Sequence, residues 1–244
     1  MPSVELALRV ARALERRVDD LFELGDADRG RRTLVVAGSD DAGLALLADR
    51  LRPGLLLSLA PLGSTAGVES LRRGEADLAG VHFDDNARRV AEAVPHAALI
   101  RFARREQGLV VRAGRRLARL DDLATMRLVL RRPGTGTRLL FDRVVPPALA
   151  RRVVAEVQTH AEVAAAVLRN EADAGTATRA TAIRYGLGFF RIAWERFDLA
   201  ITRALLDDQR VETLRAALAD RGHRRAIESL GGYDLADAGK VVFA

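Results

Sequence analysis

Four short segments of this chain carry residue types that suit a small anion. They are Gly38-Ser39, Ser64-Thr65, Gly134-Thr135-Gly136-Thr137 and Thr159-His160, each placed where an apolar or β-branched run gives way to helical spacing. A helix N-terminus presents backbone N–H groups without intrahelical partners and the positive end of the helix dipole. Small residues let an anion come close, and hydroxyls add further donors. Converging on one cleft, the four would form a donor-rich, mostly uncharged cage. Taken singly, each reads as an N-cap that stabilises its own helix by about 1 kcal/mol. Arg138 follows the third segment and could offer a fork of donors to an anion, or lie solvated on a helix face. That segment lacks the Gly-x4-Gly-Lys-Ser/Thr spacing and its lysine, which argues against nucleotide hydrolysis.

Other chemistries find little support. The four histidines are His82, His96, His160 and His223. His82-x-Asp84-Asp85 has ligand-type residues but no His-x3-His partner, so no metal site is expected. His160 could donate to a ligand or cap its helix. There is no cysteine and no Gly-x-Ser-x-Gly elbow, so no catalytic residue is assigned and the chain is not read as an enzyme. Phe189, Phe190 and Trp194 read as core.

The chain also resembles itself at a shift of 96 residues. Arg73-x-Glu75-Ala76-Asp77 falls on Arg169-x-Glu171-Ala172-Asp173, and Gly38-Ser39 falls on Gly134-Thr135. Such a repeat implies one strand–loop–helix unit used twice, with two lobes facing across a cleft. Strands are expected over Thr33–Ala37, Leu55–Leu59, Leu78–Phe83, Leu99–Phe102, Leu109–Arg112, Met126–Leu130, Val153–Val157, Ala172–Thr178 and Phe197–Ile201. A turn back through Ile183–Trp194 is expected before the last of these. Helices are expected after the polar loops, at Leu120–Leu123 and over Val211–Ala219 and His223–Leu230. Strands alternating with helices predict an α/β fold dominated by parallel strands, with ligands at the C-terminal strand ends. Residues 3–22 read as two short helices with Ser3 as N-cap, and 25–32 as a linker.

Length and charge bound the rest. The 244 residues suffice for one large domain or two modest lobes. The net charge of +6 comes from 39 basic and 33 acidic residues, and Lys240 is the only lysine. An Arg- and Ala-rich composition points to GC-rich coding rather than to a nucleic-acid surface. No apolar run approaches a membrane span, and no secretory signal is visible.

At these residues the chain resembles a known family. Ala37-Gly-Ser-Asp-Asp41, Gly63-Ser64, Arg73-Gly-Glu-Ala-Asp-Leu-Ala-Gly-Val-His82, Arg104–Val111, Gly134–Arg138, Ala172–Gly175 and Gly231-Gly-Tyr233 carry the likeness. It is to the type II periplasmic-binding-protein superfamily, in the molybdate-binding-like branch found fused to helix-turn-helix regulators. Residues 2–22 resemble the last two helices of a lambda-repressor-type DNA-binding domain. The resemblance implies a partial helix-turn-helix remnant over 1–24 and a substrate-binding domain over 33–244. Lobe 1 would take 33–96 and 196–244, and lobe 2 would take 97–195. It further implies a cytoplasmic, ligand-sensing regulator that binds molybdate or tungstate without a cofactor. The ligand set would be Ser39, Ser64, Thr65, Gly134, Thr135, Gly136, Thr137, Arg138, Thr159 and His160. In molybdate-binding relatives a tyrosine follows the strand equivalent to Ala172–Thr176; here Thr176-Ala-Thr178 stands there, with Tyr185 farther on. DNA would be bound only through a complete helix-turn-helix that this chain lacks, no membrane contact is expected, and a homodimer is compatible with the family. A transport-type extracytoplasmic binding protein and an enzyme acting on a small anion are the alternative readings.

Overall fold

The repeated unit closes on itself as strand, helix, strand, helix, strand. The computed structural model describes Val10, Ala13, Leu14, residues 32–115 and residues 117–243. The first copy runs β1 (Thr33–Gly38), α1 (Ala42–Leu51), β2 (Leu56–Ala60), α2 (Ser64–Arg72) and β3 (Leu78–Val81). Helix α3 (Asn86–Ala93) and the long strand β4 (Ala97–Val111) follow. The second copy runs β5 (Leu128–Arg131), α4 (Gly136–Val144), β6 (Val153–Val157), α5 (His160–Leu168) and β7 (Ala174–Thr178). The chain returns through α6 (Arg179–Arg184) and the long strand β8 (Gly188–Thr202), and ends in α7 (Gln209–Ala219), α8 (Arg221–Glu228), β9 (Tyr233–Asp234) and β10 (Val241–Phe243).

These strands form one mixed sheet in the order β2-β1-β3-β8-β4-β7-β5-β6. Parallel pairs β1/β3, β5/β6 and β5/β7 lie toward the two ends, while the centre is antiparallel, where β8 pairs with β3 and β4, and β4 with β7. The expectation of a mainly parallel sheet is therefore corrected at its centre. Residues 99–102 and 109–111 belong to one strand rather than two, and 188–202 to another. The intervening Arg104-Arg-Glu-Gln107 is polar but does not break the strand, because its inward charges are paired. Glu106 takes Arg179 and Arg191, and Arg105 takes Asp41 and Glu195. Helix α3 was not anticipated; Asp85 caps it by accepting from the Arg88 N–H at 3.1 Å.

Each half of the sheet has its own core. Leu34, Leu47, Ile100, Phe197 and Leu214 anchor one side of the first lobe, and Val81, Val90 and Leu99 the other. Leu109, Leu128 and Phe141, with Val129, Val163 and Val167, fill the second. Phe102 meets Phe197 edge to face at 5.4 Å between centroids, worth about 0.5–1.5 kcal/mol beyond burial. Phe189 and Phe190 are half-buried against the second-lobe cores, whereas Trp194 is 37% exposed and is not core.

By backbone contacts the chain divides into units Met1–Thr33 and Leu34–Ala244. In the first, the Leu14 N–H donates to the Val10 carbonyl at 3.0 Å, one helical turn. The helix-turn-helix remnant over 1–24 and the linker over 25–32 otherwise lie outside the described residues, save Ala13 and Arg32.

Candidate functional site

The four polar segments meet between the lobes, but their side chains divide into two groups. Gly38 ends β1 at φ 125, and a Cβ there would collide with the Gly80 backbone. That close approach turns Ser39 inward, where its Oγ is buried without a partner. Ser64 opens α2; its Oγ accepts the His82 N–H at 3.2 Å, leaving its own hydrogen to donate. Gly136 opens α4 against His82, whose carbonyl and ring leave no room for a Cβ. Thr137 Oγ1 is buried and unpartnered, and both ring nitrogens of His160 are buried, with the Thr176 backbone beside the ring.

The remaining expected site residues are occupied elsewhere. Thr135 accepts the Arg138 N–H at 3.3 Å and donates to the Arg132 carbonyl at 2.8 Å. Thr159 forms a capping box with Glu162, accepting from its N–H at 3.2 Å and donating to its carboxylate at 2.9 Å. These two hydroxyls serve as caps. Arg138 pairs with Asp142 at 2.9 Å, with Glu156, and with the Arg131 carbonyl at 3.2 Å, so its donor fork is used within its own lobe. Thr65 donates to the Gly134 carbonyl at 3.2 Å, a contact across the cleft. Two more contacts join the lobes: the His160 N–H donates to Asp40 Oδ2 at 3.1 Å, and Gln158 Nε2 to the Pro61 carbonyl at 2.8 Å.

The charged floor of the site escaped the sequence reading. Arg105 on β4 is wholly buried and donates to Asp41 Oδ2 at 2.6 Å and to Glu195 Oε1 at 2.7 Å. Glu195 on β8 also accepts from Gln107 Nε2 at 2.8 Å and lies 3.0 Å from His82 Nδ1. Tyr233 completes the network by donating to Asp41 Oδ2 at 2.9 Å. Burial pushes the Glu195 carboxyl up, but the charge of Arg105 and the hydrogen bonds from His82 and Gln107 pull it down, so it is ionised. For Arg105 burial acts to lower the value, and Glu195 and Asp41 more than reverse it.

Arg131, the last residue of β5, is different. It is 1% exposed, and its Nε and Nη1 have no partner. Burial lowers its pKa to about 10; Asp40 opposes the shift and Arg105 reinforces it. Asp40, Glu162 and Glu195 face the charge from a distance, but a buried donor without a hydrogen-bond partner costs about 1–3 kcal/mol. The sequence signal is an arginine that ends the apolar run Leu128-Val129-Leu130 at the C-terminal end of a strand, directly before a Gly-Thr-Gly-Thr loop. An open cleft of about 730 Å³ is lined by His82, Gly136, Leu139, Arg143, Trp194 and Glu195 among others, and it meets the buried network at His82 and Glu195, while Arg131, Ser39, Ser64 and Thr137 are not in its lining. Among the described residues no group of three or more His, Cys, Asp or Glu is arranged to hold a metal.

Comparison with known proteins fits this architecture. A substrate-binding protein of a phosphate ABC transporter from Clostridium perfringens, solved with bound phosphate, superposes with a TM-score of 0.65 at 13% identity, covering 81% of this chain and 97% of that one. An ABC-type phosphate transport receptor from Vibrio cholerae gives a TM-score of 0.55 at 16% identity, over 82% and 98%. A solute receptor for L-cysteine from Neisseria gonorrhoeae gives 0.57 at 16% identity, over 83% and 91%. These likenesses establish the fold. No curated protein sequence matches the chain. The family and its structural neighbours are substrate-binding proteins, not enzymes. The PBP superfamily domain matches residues 45–219, most of the length of the chain, which therefore belongs to that family.

Proposed function

We propose that this protein binds a small oxyanion between its lobes. Arg131 supplies the charge, and Ser39, Ser64 and Thr137 supply hydrogen bonds from both sides. The observation that carries this reading is the buried Arg131 guanidinium, whose Nε and Nη1 are unpartnered, as are the buried hydroxyls of Ser39 and Thr137. Molybdate and tungstate belong to the ligand class that the sequence resemblance implies. Phosphate, named for two of the solved structures, is an oxyanion of the same tetrahedral shape.

The transport receptors among the structural neighbours favour a transport-type solute-binding role, which would place the protein outside the membrane. The second reading, a ligand-sensing domain of a cytoplasmic transcriptional regulator, rests on the resemblance of residues 2–22. Either role needs the same clamp. Calorimetric titration with phosphate, sulfate, molybdate and tungstate tests it. At least one should bind, and Arg131→Gln should weaken that binding by roughly ten- to a hundredfold, the loss of about 1.5–3 kcal/mol from a charged hydrogen bond. Silence with all four anions, or an indifferent Arg131→Gln variant, contradicts the reading.

A further inference from the structure

We infer that the ligand is an anion carrying its own hydrogen-bond donor, not a bare dianion. This rests on the buried anion site of the oxyanion reading, drops bare dianions from its ligand class and admits carboxylates that carry a donor. The ground is a count of donors and acceptors in the buried site. On the donor side stand Arg131 Nε and Nη1 and Arg105 Nη2, all without partners. Ser39 and Thr137 hydroxyls can act either way.

Three unpartnered groups accept. Gln107 donates its Nε2 to Glu195 at 2.8 Å, and its Oε1 is buried without a partner. His82 places Nδ1 3.0 Å from Glu195 Oε2. An ionised carboxylate only accepts, so Nδ1 bears the proton, and in a neutral ring Nε2 is a bare lone pair. That Nε2 is buried and unpartnered. His160 has both ring nitrogens buried; the Thr176 backbone favours a ring N–H on one, and a neutral imidazole keeps an acceptor on the other.

Both rings are held neutral. Burial is the first cause, Arg131 and Arg105 add to it, and His82 itself disfavours a charge on His160. Glu195 acts the other way on His82, as does the Thr176 backbone on His160. Asp40, which accepts the His160 backbone N–H at 3.1 Å, adds a carboxylate near Arg131. A dianion with no hydrogen would set its oxygens against lone pairs, each a desolvated acceptor left unsatisfied. It would bind only by bringing a proton onto a histidine. Two kinds of ligand satisfy the count: a hydrogen-bearing tetrahedral oxyanion, and a carboxylate with an amine or hydroxyl.

The test uses the unmodified chain, titrated at mildly alkaline pH with inorganic phosphate, sulfate, molybdate and glycine. Each titration is run in two buffers of different ionisation heat, so that proton uptake is read directly. Phosphate or glycine should bind roughly tenfold or more tighter than sulfate and molybdate, and which of the two binds identifies the source. Any binding of sulfate or molybdate should take up about one proton per anion. Sulfate or molybdate binding as tightly as phosphate and glycine, with no proton uptake, overturns this inference and leaves the oxyanion reading standing. No binding by any of the four overturns both.

Discussion

Ser39 and Thr137 hold buried hydroxyls with no protein partner, whereas Thr135 and Thr159 use theirs to cap α4 and α5. The two pairs should respond oppositely to truncation. Ser39→Ala and Thr137→Ala should each cost about 1.5–3 kcal/mol of binding, roughly ten- to a hundredfold in affinity. Thr135→Ala and Thr159→Ala should instead lower stability by about 1 kcal/mol and leave affinity nearly intact. Titration and thermal unfolding on the same four variants separate the outcomes; caps that lost affinity as the free hydroxyls do would contradict the assignment. The hydroxyls were legible because small polar residues at strand-to-helix junctions announce themselves locally. The charged floor was not. Arg105 meets Asp41 at a separation of 64 residues and Glu195 at 90, and no local pattern marks such partners.

At the scale of elements, the repeat proves structural as well as chemical. Helix α2 begins at Ser64 and α5 at His160, and β3 begins at Leu78 and β7 at Ala174, all at the 96-residue shift read from the sequence. The aspartate that ends each repeated motif has one job in both lobes. Asp77 Oδ2 accepts the Val35 N–H at 2.7 Å, and Asp173 Oδ2 accepts the Arg127 N–H at 2.8 Å, tying each helix–strand connection to a neighbouring strand. Asp173→Ala should therefore cost about 1.5–3 kcal/mol of stability at neutral pH with affinity unchanged. The hydrogen bond from the Arg127 side chain is the main cause of a lowered Asp173 pKa, and the one from its backbone N–H adds to it. A group whose folded value lies below its unfolded one stabilises fully above the ordinary value of 3.8 and loses that contribution as pH falls below it. Unfolding midpoints of parent and variant should thus converge in acid, and a gap that widened instead would refute this role. Hydrophobic period exposed most strands and helices. It failed where β4 runs through Arg104–Gln107 and β8 through Arg191–Arg196, because a polar stretch is read as a loop unless its distant partners are known.

Across the whole molecule, β4 and β8 run from one core into the other, with register shifts between Arg101 and Ala103 and between Gln107 and Gly108. Their shared residues Arg105, Gln107 and Glu195 form the floor of the site. Contacts between Asp40 and His160, Thr65 and Gly134, and Gln158 and Pro61 join the lobes above it. A ligand can favour such a joined state only by binding it better than a separated one. That requires contact from both sides. The most direct measurement is a crystal structure grown with arsenate, a hydrogen-bearing oxyanion located by its anomalous scattering. The account predicts arsenate within hydrogen-bond distance of Arg131 Nε and Nη1 on one lobe and of Ser39 or Ser64 on the other. Arsenate held by one lobe alone, or bound away from Arg131, would contradict it.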